Sequence, residues 1–220
     1  MRHRLYRYFD QLQWADDFLN GKLLFRPLSY YRAYEDDQVR GDKNEGVAVF
    51  QPVGGLVVNN LTQGTTFTLP NHRFESAAEQ NKIWVYCMSR VRTAELAAEF
   101  GALACIEILD IRAFCRRVKA ALPTGAEFFA RRVEYYRVTD AASPRWALPE
   151  LIVCSKQHTF FRQAEFRLAF SATDTMRFEN VALRLVQGDG TTPPSPPGPD
   201  RQLISVGSLR DICLVHEIIK

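Results

Sequence analysis

Apolar and polar side chains alternate most regularly along the segment from Glu165 to Phe170. One face of this segment carries Phe166, Leu168 and Phe170, and the other face carries Glu165, Arg167 and Ala169. A period of two predicts a β-strand that is half buried. Glu165 and Arg167 are then either ordinary solvent-facing residues of an edge strand, or the stiff strand aims the carboxylate of Glu165 at a ligand.

Apolar runs elsewhere in the chain predict further strands. The run from Ile83 to Met88 is nearly continuous, which favours a central strand buried on both faces, and we expect it to adjoin the strand that begins at Glu165. Shorter strands are predicted from Leu5 to Phe9, Lys22 to Phe25, Ala102 to Ile108, Phe128 to Val138 and Asn180 to Val186, and within residues 47–69 and 201–220.

Three segments have apolar residues at helical spacing, and they span residues 14–19, 93–100 and 111–122. Gly21 follows the first segment and is expected to close it in the left-handed conformation. Thr93 begins the second segment and Asp110 precedes the third, and both are residues of the type that cap helix N-termini. The chain is therefore predicted to combine a few helices with many strands.

The composition is that of an ordinary soluble globular protein, with 46% hydrophobic and 24% charged residues among 220. Because no repeat and no shift in composition divides the chain, we predict one strand-dominated α+β domain over residues 1–220. Within it, residues 187–200 contain five prolines as well as glycines. Such a segment cannot maintain a ladder of hydrogen bonds, so it is predicted to be a loop.

Several classes of protein are excluded by what the sequence lacks. It contains no run of 18 or more apolar residues, so we predict no membrane-spanning helix and no membrane partner. The basic N-terminus has no apolar segment behind it, so no signal peptide is predicted there. The five cysteines are far apart in apolar surroundings, which indicates reduced thiols and a cytoplasmic location. Neither a Cys-x-x-Cys pair nor a His pair at helical spacing occurs, so no metal cofactor is expected.

Reactive side chains stand on stiff predicted backbone at three places. Arg7 is flanked by tyrosines on the first strand, where it could form a fork for phosphate or carboxylate, or a surface cation–π pair. Ser89 is the first hydroxyl after the buried run, although serine is also common at strand ends and turns. Gln163 and Glu165 are two residues apart, so they can project together from the start of the late strand.

In this order, the strand arginine, the strand-end serine and the Gln-x-Glu sequence resemble the Arg–Ser–Glu constellation of the ADP-ribosyltransferases. The resemblance implies the fold of that family, with mixed or antiparallel sheets and flanking helices, and it implies NAD as the substrate. Arg7 would then hold the NAD phosphates, and Ser89 would brace the nicotinamide pocket. The family's Ser-Thr-Ser sequence is Cys87-Met88-Ser89 here, so only its last hydroxyl is retained.

The chemistry implied by this resemblance has a simple physical requirement. Cleavage of the N-glycosidic bond of NAD produces an oxocarbenium-like ribose, which a carboxylate placed against the ribose hydroxyls stabilises. By the resemblance, Glu165 supplies this carboxylate and Gln163 orients the acceptor. Tyr6 and Tyr31 are aromatic residues suited to stacking on nicotinamide or adenine. We therefore expect Arg7 and Glu165 to face each other across one cleft.

A second, broader resemblance is to a group of uncharacterised bacterial and phage-borne proteins. It rests on residues 6–9, 18–25, 31–37, 40–42 and 45–46, and on the late sequence Lys156…Glu165-Phe-Arg167, which is similar to a Lys…Glu-x-Arg strand of that group. This resemblance implies no particular activity, although an ADP-ribosyltransferase-like fold would suit the proteins of this group. A role as a toxin or phage-conflict protein would suit this resemblance.

Two rival functions come from different chemistry. The loop 35–45 could bind Mg²⁺ for cleavage of phosphodiesters, through Glu35, Asp36, Asp37, Asp42 and Glu45. However, Arg40 and Lys43 lie among these acids and would pair with them, and the spacing matches no nuclease motif. The other rival is a non-catalytic module whose aromatic cleft binds a nucleotide or a peptide.

The sequence leaves the acceptor of the proposed transfer open among a protein side chain, a nucleic-acid base, a small molecule and water. The net charge is only +3, from 28 cationic and 25 anionic residues. A nucleic-acid partner is compatible with this value but is not indicated by it, because a basic footprint requires clustering as well.

Overall fold

Short strands and short helices alternate along the residues that the computed structural model describes, which are 4–33, 42–188 and 201–217. The strands are β1 (Leu5–Phe9), β2 (Lys22–Pro27), β3 (Val47–Phe50), β4 (Leu56–Asn60), β5 (Thr65–Leu69), β6 (His72–Ala77), β7 (Ile83–Ser89), β8 (Ala104–Ile108), β9 (Glu127–Arg132), β10 (Glu134–Tyr136), β11 (Ser155–Gln157), β12 (Glu165–Ser171), β13 (Ala182–Gln187), β14 (Gln202–Ser205) and β15 (Cys213–Glu217). The α-helices are α1 (Leu12–Leu19), α2 (Leu28–Ala33), α3 (Ala94–Glu99), α4 (Ile111–Ala121) and α5 (Pro149–Val153). A 3₁₀ helix, His158–Gln163, lies directly before β12.

Eight strands form the main sheet, and its strand pairs are antiparallel. Six of them follow the order β14-β2-β7-β1-β8-β15, while β12 pairs with β7 and β9 pairs with β12. Smaller sheets contain β13-β6-β3, the hairpin β4-β5 and the parallel pair β10-β11. Mainly antiparallel sheets with a few helices confirm the predicted α+β class. The strands predicted within residues 201–220 are β14 and β15, which lie at the two ends of the six-strand order.

The strand β7 lies at the centre of this arrangement. It pairs along its whole length with β12, from Ile83 opposite Ser171 to Ser89 opposite Glu165. The prediction that these two strands adjoin is therefore confirmed. Five of the seven β7 residues are buried, which agrees with the expectation of a strand covered on both faces.

Two strands share the other edge of β7 and diverge from each other. β1 pairs with one end of this edge, where Tyr6 lies opposite Ser89, and β2 pairs with the other end, where Arg26 lies opposite Val85. Residues 86–88 of β7 face the gap between the two strands. The resulting fork opens a cleft at the centre of the sheet.

Both faces of the main sheet carry a hydrophobic core. On one face, α1 and α4 pack Phe18 and Phe114 against Tyr86 and Leu168 of the central strands. On the other face, α2, β3 and α5 pack against the alternate residues of β7 and β12. Each large side chain that is fully buried in this way contributes about 1.5–3 kcal/mol to the stability of the fold. The central strands are thus fixed from both sides.

The prediction that β12 is half buried, with Glu165 and Arg167 on a solvent-facing edge strand, is wrong. β12 is an internal strand between β7 and β9, and the exposed fractions of Glu165 and Arg167 are 7% and 1%. The second face of β12 is covered by segments that lie far away in the chain, including α5 and the turn that contains Glu45. Alternation within one strand cannot show that such a cover exists.

Local signals in the sequence were more reliable. The hydroxyl of Thr93 accepts a hydrogen bond from the N–H of Leu96, and the carboxylate of Asp110 accepts one from the N–H of Ala113, as expected for N-caps. Gly21 has a φ of +85°, and a Cβ there would lie 1.9 Å from the carbonyl oxygen of Gly207. The continuous strand predicted over residues 128–138 is wrong, because β9 and β10 belong to different sheets.

Several predictions concern residues at the limits of the described chain. Of the predicted loop 187–200, Gln187 is the last residue of β13, and residues 189–200 lie outside the described residues.

All five cysteines are free thiols. Among the helices in the described ranges, none is long and apolar enough to cross a membrane.

Candidate functional site

A cleft of about 590 Å³ lies at the fork between β1 and β2. Its walls bring together the residues that the sequence suggested for the site, which are Tyr6, Arg7, Tyr31, Ser89, Gln163 and Glu165. Further aromatic side chains line it, namely Tyr8, Phe9, Trp14, Tyr30, Tyr86 and Phe100. The size and the mixed aromatic and charged lining suit a small-molecule ligand.

Three of these residues form one row across the main sheet. Tyr6 of β1 lies opposite Ser89 of β7, and Ser89 lies opposite Glu165 of β12. Residues that are directly opposite in adjacent strands project to the same face of a sheet. The row therefore places an aromatic ring, a hydroxyl and a carboxylate side by side at one end of the central strands.

Ser89 braces the segment that leads into β12. Its hydroxyl lies 2.8 Å from the carbonyl oxygen of Gln163 and 2.9 Å from that of Val91, and it accepts a hydrogen bond from the N–H of Val91. The N–H of Arg90 also donates to the carbonyl oxygen of Ala164. These bonds fix the turn before Glu165 to the end of β7, so Ser89 occupies a supporting position beside the carboxylate.

Gln163 does not project from the strand itself, which corrects the geometry expected from the sequence. It ends the 3₁₀ helix, and Ala164 then adopts a left-handed conformation with φ of 44° before β12 begins. A non-glycine residue in this region costs of order 1–3 kcal/mol, which the surrounding hydrogen bonds offset. The side chain of Gln163 is buried and accepts a hydrogen bond from the ammonium of Lys156 at 3.0 Å.

Four buried charges form a chain of ion pairs along the cleft. The ammonium of Lys156 lies 2.5 Å from one oxygen of Glu165, and Nε of Arg167 lies 2.9 Å from the other. The two terminal nitrogens of Arg167 bind both oxygens of Glu45, at 2.5 and 2.9 Å. The chain holds two carboxylates and two cations, so its formal charges balance.

These cations determine the protonation state of Glu165. Burial by itself would raise the pKa of this carboxyl, but Lys156 and then Arg167 outweigh it and lower the pKa to about 2. Burial opposes the charge of Lys156 as well, and Glu165 and Glu45 outweigh that effect, so the pKa of Lys156 is raised. Glu165 and Lys156 are consequently both ionised near neutral pH.

Arg7 lies in the gap of the fork. Its guanidinium donates a hydrogen bond of 2.6 Å to the carbonyl oxygen of Cys87, and it lies 4.8 Å from the ring centre of Tyr86 and 5.7 Å from that of Phe9. Its Nε is buried and has no hydrogen-bond partner among the residues that the structure describes. The guanidinium lines the cleft and makes cation–π contacts, while its use as a fork for phosphate or carboxylate stays a prediction.

Lys156, Arg167 and Glu45 belong to the second family resemblance but were not predicted to line this cleft, and Glu45 was considered only as a ligand of Mg²⁺. All three line the cleft and hold Glu165 directly or through a neighbour. The signal that could have found them was the Lys…Glu-x-Arg pattern itself, because two cations that flank one buried glutamate require close pairing.

The acidic loop considered for Mg²⁺ is described only in part. Residues 35–41, which include three of the five acids, lie outside the described residues. Of the other two, Glu45 is bound by Arg167, and Asp42 accepts a hydrogen bond from the N–H of Asn44. Within the described ranges, no group of three or more His, Cys, Asp or Glu side chains could hold a metal ion.

Asp42 gives the stability of the protein a specific pH dependence. Burial, together with the charge of Glu45, raises the pKa of Asp42 from 3.8 to about 6. The stabilisation linked to its protonation is complete below about pH 4 and is lost as the pH rises through about 6. Through this group, wild type is expected to lose on the order of 2 kcal/mol of its free energy of unfolding between pH 4 and pH 7. Asp42→Asn keeps an oxygen that can accept the hydrogen bond from Asn44, and we expect this variant not to show that loss.

Chemical denaturation at several pH values measures this effect, and Asp174→Asn, at an exposed position, serves as the control. Glu165 contributes stability of the opposite sign, since its lowered pKa means that stabilisation is lost as the pH falls from about 4.5 towards 2. The difference between Asp42→Asn and wild type therefore isolates Asp42. Parallel stability curves for the two proteins would contradict the prediction.

Comparison of the chain with models of protein families, with curated proteins and with solved structures finds no match.

Proposed function

We propose that the cleft binds NAD and that the protein transfers its ADP-ribose group to an acceptor. The observation that carries this proposal is the ionised carboxylate of Glu165, which two cations fix in the same cleft that Arg7 lines. An anionic group held in a fixed position favours a reaction in which positive charge develops beside it. Cleavage of the N-glycosidic bond of NAD is such a reaction, because positive charge develops on the ribose.

The reaction that we propose begins with the N-glycosidic bond. As this bond breaks, its electron pair leaves with nicotinamide and the ribose acquires oxocarbenium character. An oxygen or nitrogen atom of the acceptor then forms the new bond to the ribose carbon, and its proton passes to water. Glu165 stabilises the charge on the ribose, and Gln163 orients the acceptor.

The lowered pKa of Glu165 favours one of two roles for this carboxylate. A general acid or base works best when its pKa lies near the working pH, and a pKa of about 2 is far below that range. Electrostatic stabilisation needs only a permanent negative charge. A carboxylate can accept about four hydrogen bonds. Lys156 and Arg167 each donate one to Glu165, on different oxygens, so about two acceptor positions remain for ribose hydroxyls.

The rest of the cleft can bind the remainder of NAD. The guanidinium of Arg7 is suited to a diphosphate, because arginine binds phosphate oxygens in a planar fork. Tyr6 and Tyr31 line the same cleft as Arg7 and offer aromatic faces for nicotinamide or adenine. Burial raises the pKa of Tyr31 far above its ordinary value, so this ring stays neutral.

Incubation of the purified protein with labelled NAD, alone and with a cell lysate, tests the proposal. Release of nicotinamide together with label on a macromolecule would support transfer, and release without a labelled product would identify water as the acceptor. If the protein binds NAD without consuming it, the catalytic part of the proposal is wrong. If NAD does not bind at all, the whole proposal is wrong.

Replacement of Arg7 by alanine is expected to weaken NAD binding by about 1.5–3 kcal/mol, which is roughly 10- to 150-fold in Kd. The reason is the loss of charge-assisted hydrogen bonds to phosphate. Calorimetric titration measures the change, and Arg112→Ala on the exposed side of α4 is the matched control. An unchanged Kd for Arg7→Ala would remove Arg7 from the binding site.

A non-catalytic nucleotide-binding module is the second candidate, and one observation favours it. Two cations already pair with Glu165, which reduces the charge that this carboxylate can offer to a reacting ribose. Under this hypothesis the wild type binds NAD but leaves it intact, and variants of Arg7 and Glu165 lose affinity to a similar extent.

For the biological role, we propose a toxin or a phage-conflict protein that acts in the cytoplasm, which suits the resemblance to bacterial and phage-borne proteins. The five free thiols suit a reducing compartment. The acceptor is the unknown that the lysate experiment is designed to identify.

A further inference from the structure

We propose that Lys156 is the positioning residue of this site, since its ammonium binds the side-chain oxygens of Gln163 and Glu165 at once. This inference rests on the proposed function, in which these two side chains act on the acceptor and on the ribose. Lys156 would fix the distance between them without touching the reacting atoms.

The geometry around Lys156 supports a positioning role. Its ammonium lies 2.5 Å from an oxygen of Glu165 and 3.0 Å from the side-chain oxygen of Gln163, and it lies 4.4 Å from the ring centre of Phe160. The side chain of Lys156 is only 5% exposed. An ammonium has three hydrogens. Those of Lys156 meet the amide oxygen of Gln163, the carboxylate oxygen of Glu165 and the face of the Phe160 ring.

Hydrogen bonds to the backbone fix the turn between Gln163 and Glu165, but they do not join the two side chains. Gln163 belongs to the 3₁₀ helix, Glu165 belongs to β12, and the left-handed residue Ala164 separates them. Lys156 approaches from outside both elements, because it lies on β11, which pairs with β10 in a separate two-stranded sheet. Its ammonium therefore links side chains of three consecutive elements, β11, the 3₁₀ helix and β12.

The charged and titratable groups near Glu165 belong to several elements. Arg167 on β12 and Lys156 on β11 bind its oxygens, the hydroxyl of Tyr135 on β10 accepts a hydrogen bond from its N–H, and Cys87 on β7 lies nearby. Glu45 and Asp42, in the turn before β3, act on the charge of Lys156. Of these, Lys156 and Arg167 are the cations, and each binds a different oxygen of Glu165. Without Lys156, one oxygen keeps the guanidinium while the other loses its cation. We therefore expect removal of the ammonium to affect both the orientation and the titration of Glu165.

Lys156→Met is the variant that tests the proposal, and Lys82→Met, whose lysine is exposed in a surface pair, is the matched control. We expect kcat for NAD to fall about 100-fold in Lys156→Met, as for a small misplacement of reacting groups, while KM changes less than about threefold. The control is expected to match wild type in both constants.

The pH profile supplies a readout that a merely structural role would not change. In wild type, loss of activity through protonation of Glu165 is not expected above about pH 5, because its pKa is about 2. In Lys156→Met the pKa of Glu165 rises, and activity is expected to fall as the pH drops through the new value. A profile identical in shape to that of wild type would overturn the proposal.

Carbon-13 NMR of labelled glutamate carboxyl groups gives a measurement that does not depend on turnover. Glu165→Gln identifies the resonance, and the titration of Glu165 is compared between wild type and Lys156→Met. An upward shift of its midpoint by about one unit or more supports the inference, and an unchanged midpoint overturns it. If wild type consumes no NAD, the proposed function fails while this titration still decides whether Lys156 controls Glu165.

Lys156→Arg keeps the test decisive if Lys156→Met does not fold. The guanidinium of arginine retains the positive charge, but its donors are spread over a planar fork. It therefore cannot replace the one nitrogen atom that binds the side-chain oxygens of both Gln163 and Glu165. We expect this variant to keep the low pKa of Glu165 and to lose at least about 10-fold in kcat. Wild-type kcat in Lys156→Arg would overturn the claim that the spacing matters.

Discussion

Replacement of Arg167 by methionine is expected to destabilise the folded protein by about 3–5 kcal/mol. The guanidinium is 1% exposed and binds two carboxylates as well as the carbonyl oxygen of Val153. Methionine fills much of the same volume but leaves Glu45 and Glu165 close together with one cation fewer. Two buried carboxylates without this compensation oppose folding strongly.

Denaturant unfolding at pH 7 measures this loss, and Arg177→Met is the matched control. Arg177 forms an ion pair with Asp174 in which both side chains are more than half exposed. Such surface pairs contribute about 0–1 kcal/mol, so the control is expected to remain close to wild type. A loss below about 1 kcal/mol in Arg167→Met would show that the buried chain of charges does not stabilise the fold.

The same variant has a distinctive pH dependence. Without Arg167, the pKa of Glu165 is expected to rise in the folded state, because its burial is then offset by one cation fewer. A group whose folded pKa is raised contributes stability at low pH and loses it as the pH increases. The deficit of Arg167→Met relative to wild type should therefore shrink as the pH is lowered.

Replacement of Glu165 by glutamine is expected to reduce kcat for NAD by about 10²–10³-fold while Kd for NAD changes little. The carboxylate acts on charge that appears only in the transition state, so its loss affects turnover more than ground-state binding. Single-turnover measurements and calorimetric titration separate the two quantities. An equal loss in both would favour the non-catalytic binding module.

Two controls distinguish a lost catalytic charge from a damaged fold. Glu165→Gln leaves Lys156 and Arg167 with one carboxylate fewer, so its stability must be measured beside its activity. Glu127→Gln makes the same change at the opposite end of β9 and β12, where Glu127 binds Ser171 and the N–H of Met176. Residual kcat near wild type in a folded Glu165→Gln protein would contradict the proposed role.

Much of the fold could be predicted because it depends on neighbours in the chain. The alternation from Glu165 to Phe170 and the apolar run from Ile83 to Met88 placed the two central strands, and their predicted adjacency was confirmed. Thr93 and Asp110 were identified as caps because a cap binds the N–H of a residue only three positions away. Interactions of this range are visible in a single sequence.

The residues of the candidate site were also suggested by the sequence, but their relation to one another was not. Arg7, Ser89 and Glu165 were selected for their strands and for a family resemblance, and the structure brings them to one cleft. That cleft depends on the divergence of β1 and β2 from a shared edge of β7, and on the left-handed turn at Ala164. Neither feature has a periodic signal.

The tertiary structure alone decided that Glu165 and Arg167 are buried in ion pairs. The partner of Arg167, Glu45, lies 122 residues away, and Lys156 reaches Glu165 from a different sheet. The alternation of β12 specified which residues share a face, but it did not specify what covers that face. A charged face is stable in solvent or against opposite charges, and only long-range packing chooses between these two environments.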